Sequence, residues 1–322
     1  MSRLTPTTGA AVALGAFLGT GAAAFAYGSL LERNRFTLRR VTAPVLPEGA
    51  EPIKVLHLSD LHMAPWQRRK QDWIRSLAAL QPDLVVDTGD NTGHERGIEG
   101  VERALSVFAG VPGVFVHGSN DYFGPIPKNP FTYFTGPSRR TTRSPDLDIE
   151  RLEALYERLG WLNLNNAVGA LEINGSHLEF LGVDDPHREL DRLALLPGAL
   201  DELRENDDLY DLLPEGDAGR SVVTIGVTHA PYRRVLNSFV TQGATMIFAG
   251  HTHGGQVCVP GYGALVTNCD IPRRQVKGLS IWTHALKAAY LNVSAGLGTS
   301  IYAPVRFACP PEATLLTLTP LR

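Results

Sequence analysis

The chain is poor in sulfur and in net charge. Its three cysteines, Cys258, Cys269 and Cys309, are too few and too scattered for a disulfide framework, although a single pair is compatible with them. No Cys-x-x-Cys occurs, and the cysteines carry no information about compartment. A formal charge of -3 over 322 residues leaves nothing basic enough for a nucleic-acid footprint, so no nucleic-acid partner is expected. With 43% apolar residues, the composition suits one large α/β domain with a substantial core.

Charge is missing altogether between Arg3 and Glu32. Gly9 to Leu31 is an Ala-, Gly- and Leu-rich run long enough to cross a bilayer core of roughly 30 Å as a helix. Two readings compete. Ala24-Phe25-Ala26 has the small-x-small form of a signal cleavage site, with Arg3 as a minimal positive n-region. An uncleaved single-pass anchor in the cell membrane is the other, and the length favours it. Arg33, Arg35, Arg39 and Arg40 follow the span and argue for a cytoplasmic domain, whereas Arg3 and the amino terminus pull the other way. Residues 1–31 are therefore read as anchor or signal segment. Residues 32–51, with Pro44 and Pro47, are read as an extended tether holding one edge strand at Phe36 to Val41, and 52–322 as the folded domain.

What the domain does contain is a set of apolar runs that end in polar residues of one chemical kind. Met246 to Ala249 runs into Gly250-His251-Thr252-His253-Gly254-Gly255-Gln256. Ile53 to Ser59 runs into Asp60-Leu61-His62, and Leu84 to Gly89 into Asp90-Asn91. Val114 to Gly118 runs into Ser119-Asn120-Asp121, and Val222 to Thr228 into His229-Ala230-Pro231. Each run reads as a short buried strand. In an open α/β sheet ligands bind outside the carboxyl ends of the strands, so five strands ending this way aim their terminal residues at one crevice. Imidazole is the commonest side-chain ligand for a borderline divalent metal, and flanking glycines let the backbone bend so that both rings of His251 and His253 converge.

Between the strands, Trp73, Leu77 and Leu80 have helical spacing, as do Ile98, Val101, Leu105 and Phe108, which gives βαβα alternation and parallel strands. Ile149 to Leu159 reads as a helix, and Gly169 to Asp185 as a hairpin turning at Asn174-Gly175. Asp191 to Glu215 reads as a helical, acidic outer face. Tyr290 to Ala295 and Ala313 to Leu318 are late strands. The expected fold is an α/β four-layer sandwich, α/β/β/α, of two facing mixed sheets, preceded by an N-terminal transmembrane helix. Tyr122 to Ser144 lacks either periodicity and leaves the Asn120 corner directly. Its Phe131, Tyr133 and Phe134 either anchor the loop or meet an apolar substrate or membrane surface.

The series Asp-x-His, Gly-Asp, Gly-Ser-Asn-Asp, Thr-His-Ala-Pro and Gly-His-Thr-His-Gly-Gly-Gln resembles the calcineurin-like metallophosphoesterase superfamily over about residues 52 to 320. Gly182-Val183-Asp184-Asp185-Pro186, Gly296 to Ser300 and Arg306 to Glu312 resemble its membrane-associated bacterial branch. The resemblance implies two divalent cations, one held by Asp60, His62, Asp90 and His253 and the other by Asp90, Asn120, His229 and His251, with Asp90 bridging. Two ions roughly 3.5 to 4 Å apart clamp an in-line displacement at phosphorus and supply a metal-bound hydroxide as nucleophile. Mixed His, Asn and carboxylate ligands suit Mn, Fe or Zn.

One departure matters. The family phrase is Gly-Asn-His-Asp or Gly-Asn-His-Glu, its histidine serving the phosphate or the leaving oxygen, and here Gly118-Ser119-Asn120-Asp121 stands instead. Counting from Gly118 makes Ser119 the ligand; sliding by one keeps Asn120 as ligand and puts Asp121 in the histidine's place. The slide is preferred because an amide carbonyl is the better ligand, and Asp121 becomes the candidate catalytic acid, with His94, His117 and His187 as rivals. Asp184-Asp185 is read as holding loop amides, and Asp87 as orienting a neighbour. The expected activity is hydrolysis of a phosphomonoester, diester or pyrophosphate, plausible as a lipid-linked or cell-envelope substrate. The alternative is a non-catalytic scaffold on the same fold. Keeping all seven ligand types argues for the enzyme.

Overall fold

The computed structural model describes residues 6–127, 146–206 and 222–321. In chain order the strands are β1 (Thr37–Leu46), β2 (Ile53–Leu58), β3 (Leu84–Asp87), β4 (Gly113–Phe115), β5 (Trp161–Asn163), β6 (Ala167–Ile173) and β7 (Ser176–Gly182). They continue with β8 (Val222–Thr228), β9 (Met246–Ala249), β10 (Cys258–Val259), β11 (Gly263–Ala264), β12 (Gly278–His284), β13 (Lys287–Val293) and β14 (Glu312–Pro320). Two six-stranded mixed sheets result, ordered β1-β14-β2-β3-β4-β5 and β12-β13-β9-β8-β7-β6, beside a small β10-β11 ribbon.

Alternation along the strands divides the apolar side chains between two faces. Val55, Val86, Val116 and Leu316 of the first sheet meet Phe180, Ile225, Val227 and Phe248 of the second in one buried layer. Burying each of these side chains stabilises the fold by about 1.5–3 kcal/mol. The opposite faces are covered by helices. Ile74 of α2 (Arg68–Ser76), Val101 of α3 (Gly97–Leu105) and Leu155 and Tyr156 of α5 (Ile149–Leu159) pack on Leu56, Leu58, Val85 and Phe115. Leu200 of α6 (Leu196–Glu205) and Val235, Leu236 and Phe239 of α7 (Arg233–Thr241) pack on Leu181, Ile247 and Leu291. Between α3 and α5 in the chain lies the single turn α4 (Ser119–Tyr122). The layers are α/β/β/α, as the alternation predicts.

Local chemistry sets the boundaries. Asp148 caps α5 by accepting from the Arg151 N–H at 3.0 Å, and Gly160 ends it in the left-handed region at φ 78°. Asn174 (φ 50°) and Gly175 (φ 74°) make the tight turn between β6 and β7.

The segment expected to be a tether is extended but not free. Thr37–Leu46 pairs in parallel with β14 along its length, so the edge strand expected at Phe36 to Val41 is present and runs on to Leu46 as part of the first sheet. Pro44 is accommodated because β1 is an edge strand. Of the acidic segment expected to be helical, α6 covers Leu196–Glu205, and 207–221 lie outside the described residues, as do Phe131, Tyr133 and Phe134.

Helix α1 (Pro6–Ala26) continues as a π turn and a 3-10 turn to Asn34. Leu14–Asn34 is apolar enough to cross a membrane, with a mean hydropathy of 1.4. Leu14, Phe17, Leu18, Phe25 and Leu30 are all more than half exposed. The foot of this helix is docked: Arg306 N–H donates to Gly28 O at 3.2 Å, and Cys309 N–H donates to Glu32 Oε1 at 2.6 Å. The three cysteines are free thiols.

Candidate metal centre

Strands β2, β3, β4, β8 and β9 run parallel to one another within their two sheets and release their ligand-type residues at one end. The turns are tight. Asp60 (φ 49°), His62 (φ 39°), Asp90 (φ 57°), His251 (φ 68°) and His253 (φ 50°) all adopt the left-handed backbone that non-glycine residues avoid. Such a conformation costs about 1–3 kcal/mol per residue and persists only where the surroundings over-determine it. Glycines provide those surroundings: a Cβ on Gly296 would stand 2.6 Å from Asp60 Cβ, and one on Gly250 would stand 2.7 Å from Asp60 Oδ2.

The side chains converge in two overlapping groups. Asp60, His62 and His253 bring their ligand atoms within 4.8 Å of one another, as do Asp60, Asp90 and His229. In the first group His62 Nε2 lies 3.2 Å from His253 Nε2, His253 Nε2 3.5 Å from Asp60 Oδ1, and His62 Nε2 3.5 Å from Asp90 Oδ2. In the second, His229 Nε2 lies 3.5 Å from Asp90 Oδ1 and 3.3 Å from His251 Nδ1. Asp90 therefore offers one oxygen to each side. Asn120 meets the same carboxylate, its N–H 2.8 Å from Oδ1 and Nδ2 2.6 Å from Oδ2.

The outer partners fix which nitrogen faces inward. His229 Nδ1–H donates to the Thr88 carbonyl at 2.8 Å, because a carbonyl can only accept, and His251 Nε2 faces Asn268, 3.0 Å from its carbonyl oxygen and 3.2 Å from its Nδ2. His229 Nε2 and His251 Nδ1 are thus the atoms turned to Asp90 and to each other. Burial lowers the His229 pKa, but Asp90, Asp60 and Asp185 outweigh it and raise it to about 9. A proton on Nε2 then sits between acceptors where a cation fits. Burial pushes His62 down to about 4, keeping it neutral and able to donate a lone pair. Burial likewise pushes Asp60 up to about 6, opposed by His229 and reinforced by Asp90. Asp90 is different: burial alone would raise it, yet His229, His62 and the two Asn120 donors hold it well below the usual carboxylate range. A carboxylate kept ionised beside His229 and a neutral His62, all buried, is a donor set suited to borderline divalent cations once His229 gives up its proton.

Asp121, expected as the acid, lies underneath. Its Oδ2 accepts from the N–H groups of Asp90 (2.8 Å) and Gly118 (2.9 Å) and its Oδ1 from Asn91 (2.7 Å), with only 1% of the residue exposed. This placement braces the Asp90 turn and gives Asp121 no face toward the cleft. Asp87 acts alongside it, accepting from Gly89 N–H and Asn91 Nδ2, both at 2.9 Å. Ser119 Oγ is bonded to Asp185 and lies 3.3 Å from Arg188 Nε. Asp184 accepts the Asp185 N–H at 2.7 Å, and Asp185 that of His187 at 2.8 Å, which is the loop-holding role expected of them. Among the rival acids, His117 is buried beside Asp121 and Glu153, and His94 packs against Trp66. His187 stacks 4.5 Å from the His251 ring, with Nδ1 2.9 Å from Tyr232 Oη.

Arg306 was not singled out by sequence as part of the site. Fully buried, it donates to the carbonyls of Ala295 (2.7 Å), Gly296 (3.0 Å) and Gly298 (2.8 Å), the loop that packs on Asp60 and His62. The available signal was an arginine in a Gly- and Pro-rich apolar stretch.

A sandwich of two mixed sheets carrying a shared aspartate between histidine clusters defines a metal-dependent hydrolase of phosphoric esters. The calcineurin-like phosphoesterase family model matches residues 53–255, and the chain belongs to that family. It is 26% identical over 302 residues to the Bacillus subtilis (strain 168) protein YpbG, covering 92% of this chain and 90% of that one. The metallophosphoesterase YkuE of the same organism is 25% identical over 317 residues, covering 96% and 93%. An Aquifex aeolicus (strain VF5) metallophosphoesterase is 27% identical over 278 residues, covering 85% and 87%.

Proposed function

We propose that the chain is a membrane-anchored dinuclear hydrolase acting on a phosphate ester of the cell envelope, lipid-linked in preference to soluble. The observation that supports it most is the gathering of seven side chains from five strand ends in one cleft, with the two oxygens of Asp90 facing His62 on one side and His229 on the other. In this reading Asp60, His62, Asp90 and His253 hold one divalent cation, of the Mn, Fe or Zn kind. Asp90, His229, His251 and Asn120 hold the other. Bound there, the pair supplies electrophilic activation of the phosphoryl group and a deprotonated water.

The residues do the rest. Thr88 fixes the tautomer of His229 and Asn268 holds the His251 ring by Nε2, so that no reorientation is needed when substrate arrives. Asn120 presents an amide beside the bridging carboxylate, where it can turn its oxygen to a cation or its N–H to a phosphoryl oxygen. Asp121 keeps the Asp90 turn in its left-handed form. The loop after β7 carries His187 against His251 and Arg188 against Ser119, and we assign these two to the leaving oxygen and the phosphoryl charge in place of Asp121. Helix α1, exposed along its apolar side chains, is the anchor.

The test is metal analysis of the full chain in detergent, with hydrolysis of bis-p-nitrophenyl phosphate and p-nitrophenyl phosphate in Mn. Two cations per chain and hydrolysis of either ester are expected, and Asp90→Asn should lose at least ~100-fold by removing the charge clamp. Two bound cations with neither ester turned over would favour the scaffold; equal rates in wild type and variant would refute the bridge.

A further inference from the structure

We propose that a basic cavity at the foot of α1 is a binding site for the phosphate headgroup of an anionic phospholipid. The cavity, of about 390 Å³, lies between the turn that ends α1, the start of α2 and the loop 297–304. Arg33, Arg68, Arg69 and Lys70 line it, and no carboxylate does. Three arginines around one hollow, in a chain whose formal charge is -3, are an unbalanced cluster that an anion would complement, while the buried Lys70 is occupied with the Leu61 carbonyl. The nearest acid in sequence, Glu32, is turned away to the Cys309 N–H.

Two further observations point to a ligand. Arg33 Nε is buried with no hydrogen-bond partner among the described residues. A guanidinium N–H left this way is uncompensated, and a phosphate oxygen would accept from it. The cavity also opens where a lipid headgroup would lie. Arg33 and Asn34 end the apolar span, Leu30 and Leu31 just before them are exposed, and Trp66 at the rim is 62% exposed, as suits an aromatic at a membrane interface. The acyl chains would then follow the apolar side of α1, while the headgroup meets the arginines.

This site shares a wall with the metal centre. Lys70 Nζ donates to the Leu61 carbonyl at 2.6 Å, and Gly298, which lines the cavity, donates its N–H to the Asp60 carbonyl at 2.6 Å. A lipid held here would fix the height of the Asp60–His62 turn above the membrane, and so which part of a membrane-resident ester reaches it.

The inference rests on the anchor proposed above, not on turnover. Its test uses the full chain in dodecyl maltoside micelles, titrated with dioleoylphosphatidylglycerol, dioleoylphosphatidylcholine or sn-glycerol 1-phosphate and read by native mass spectrometry. Phosphatidylglycerol is expected to bind at least ~10-fold more tightly than phosphatidylcholine. Arg33→Gln/Arg68→Gln/Arg69→Gln should abolish that preference, and Arg103→Gln/Arg158→Gln, removing arginine charge elsewhere, should keep it. Unchanged melting and metal content would show the triple variant folded; if it fails to fold, Arg68→Glu alone, an exposed position, should weaken phosphatidylglycerol at least ~5-fold. Equal binding of the two lipids, a preference surviving in these variants, or glycerol phosphate binding as tightly as the lipid would overturn the site. Recovery of the chain from the soluble cell fraction would overturn the anchor instead, and the lipid site with it.

Discussion

In the first half of the cleft Asp60, His62 and His253 all stand on left-handed backbone, whereas in the second half His251 does so but His229 continues directly from β8 and Asn120 rides on the single turn of α4. The first half is gripped from behind by Arg306, which holds the Gly296–Gly298 carbonyls and approaches His253 Nδ1 at 3.3 Å. The second is held by side-chain contacts: a carbonyl on each imidazole, an amide on Asp90, a serine on Asp185. Main-chain geometry makes the first half rigid, and exchangeable hydrogen bonds make the second adjustable. That difference predicts one tightly held cation and one that responds to its conditions.

Asp90 belongs to both halves, so replacing it should erase the contrast. Asp90→Asn is expected to bind fewer than one cation per chain and to lose at least ~100-fold in activity; a variant still carrying two ends the idea of a shared carboxylate. Asn120→Ala touches the second half alone and should weaken one cation by about 10–100-fold, leaving the other in place, as read by titration calorimetry. Loss of both together would mean that the halves are not separable.

Protonation sharpens the contrast further. His229 without a cation keeps its proton up to about pH 9, and that proton must leave before Nε2 can serve. Binding to the second half should therefore tighten by up to about tenfold per unit as the pH rises from 7 toward 9, then level off. Calorimetry in buffers of different ionisation enthalpy would detect the released proton, and a flat profile would contradict the pairing of His229 with Asp90. In the first half the low pKa of His62 removes any such dependence above neutral pH. The smallest effect is expected from Asp121→Asn, which disturbs a carboxylate accepting from the backbone N–H groups of Asp90, Asn91, Thr92 and Gly118 and should cost about 1–3 kcal/mol of stability. Its rate loss should be the same for p-nitrophenyl and alkyl leaving groups; a loss confined to alkyl esters would restore Asp121 as the acid.

Sequence conveyed the first half better than the second, for the same structural reason. Asp60, His62 and His253 flank strand ends with glycines nearby, and a side chain at the end of a parallel strand has few other places to go. Gly118-Ser119-Asn120-Asp121 forms a helical turn, in which one residue of slide rotates a side chain by about 100°, so counting along the chain could not say which group faces the cleft. Strand β1 was legible as an edge strand at Phe36 to Val41, but its continuation to Leu46 was not, because Pro44 looks like linker and an edge strand hydrogen-bonded on one side alone tolerates it. Arg306 was hidden because its partners are carbonyls, which leave no mark in a sequence. The helices, the Asn174-Gly175 turn and the late strands were legible because their periodicities and turn residues agree with the packing they enter.

Strand β14 lies between β1 and β2 and is hydrogen-bonded to both. Residues 312–320 thus fill the middle of a sheet whose other members were made some 150 to 275 residues earlier. While the ribosome is still working, β1 has no neighbour in this sheet and β2 lacks one, so this half of the molecule must wait for its last strand. Deleting residues 312–320 should leave an open, aggregation-prone intermediate instead of a weaker enzyme.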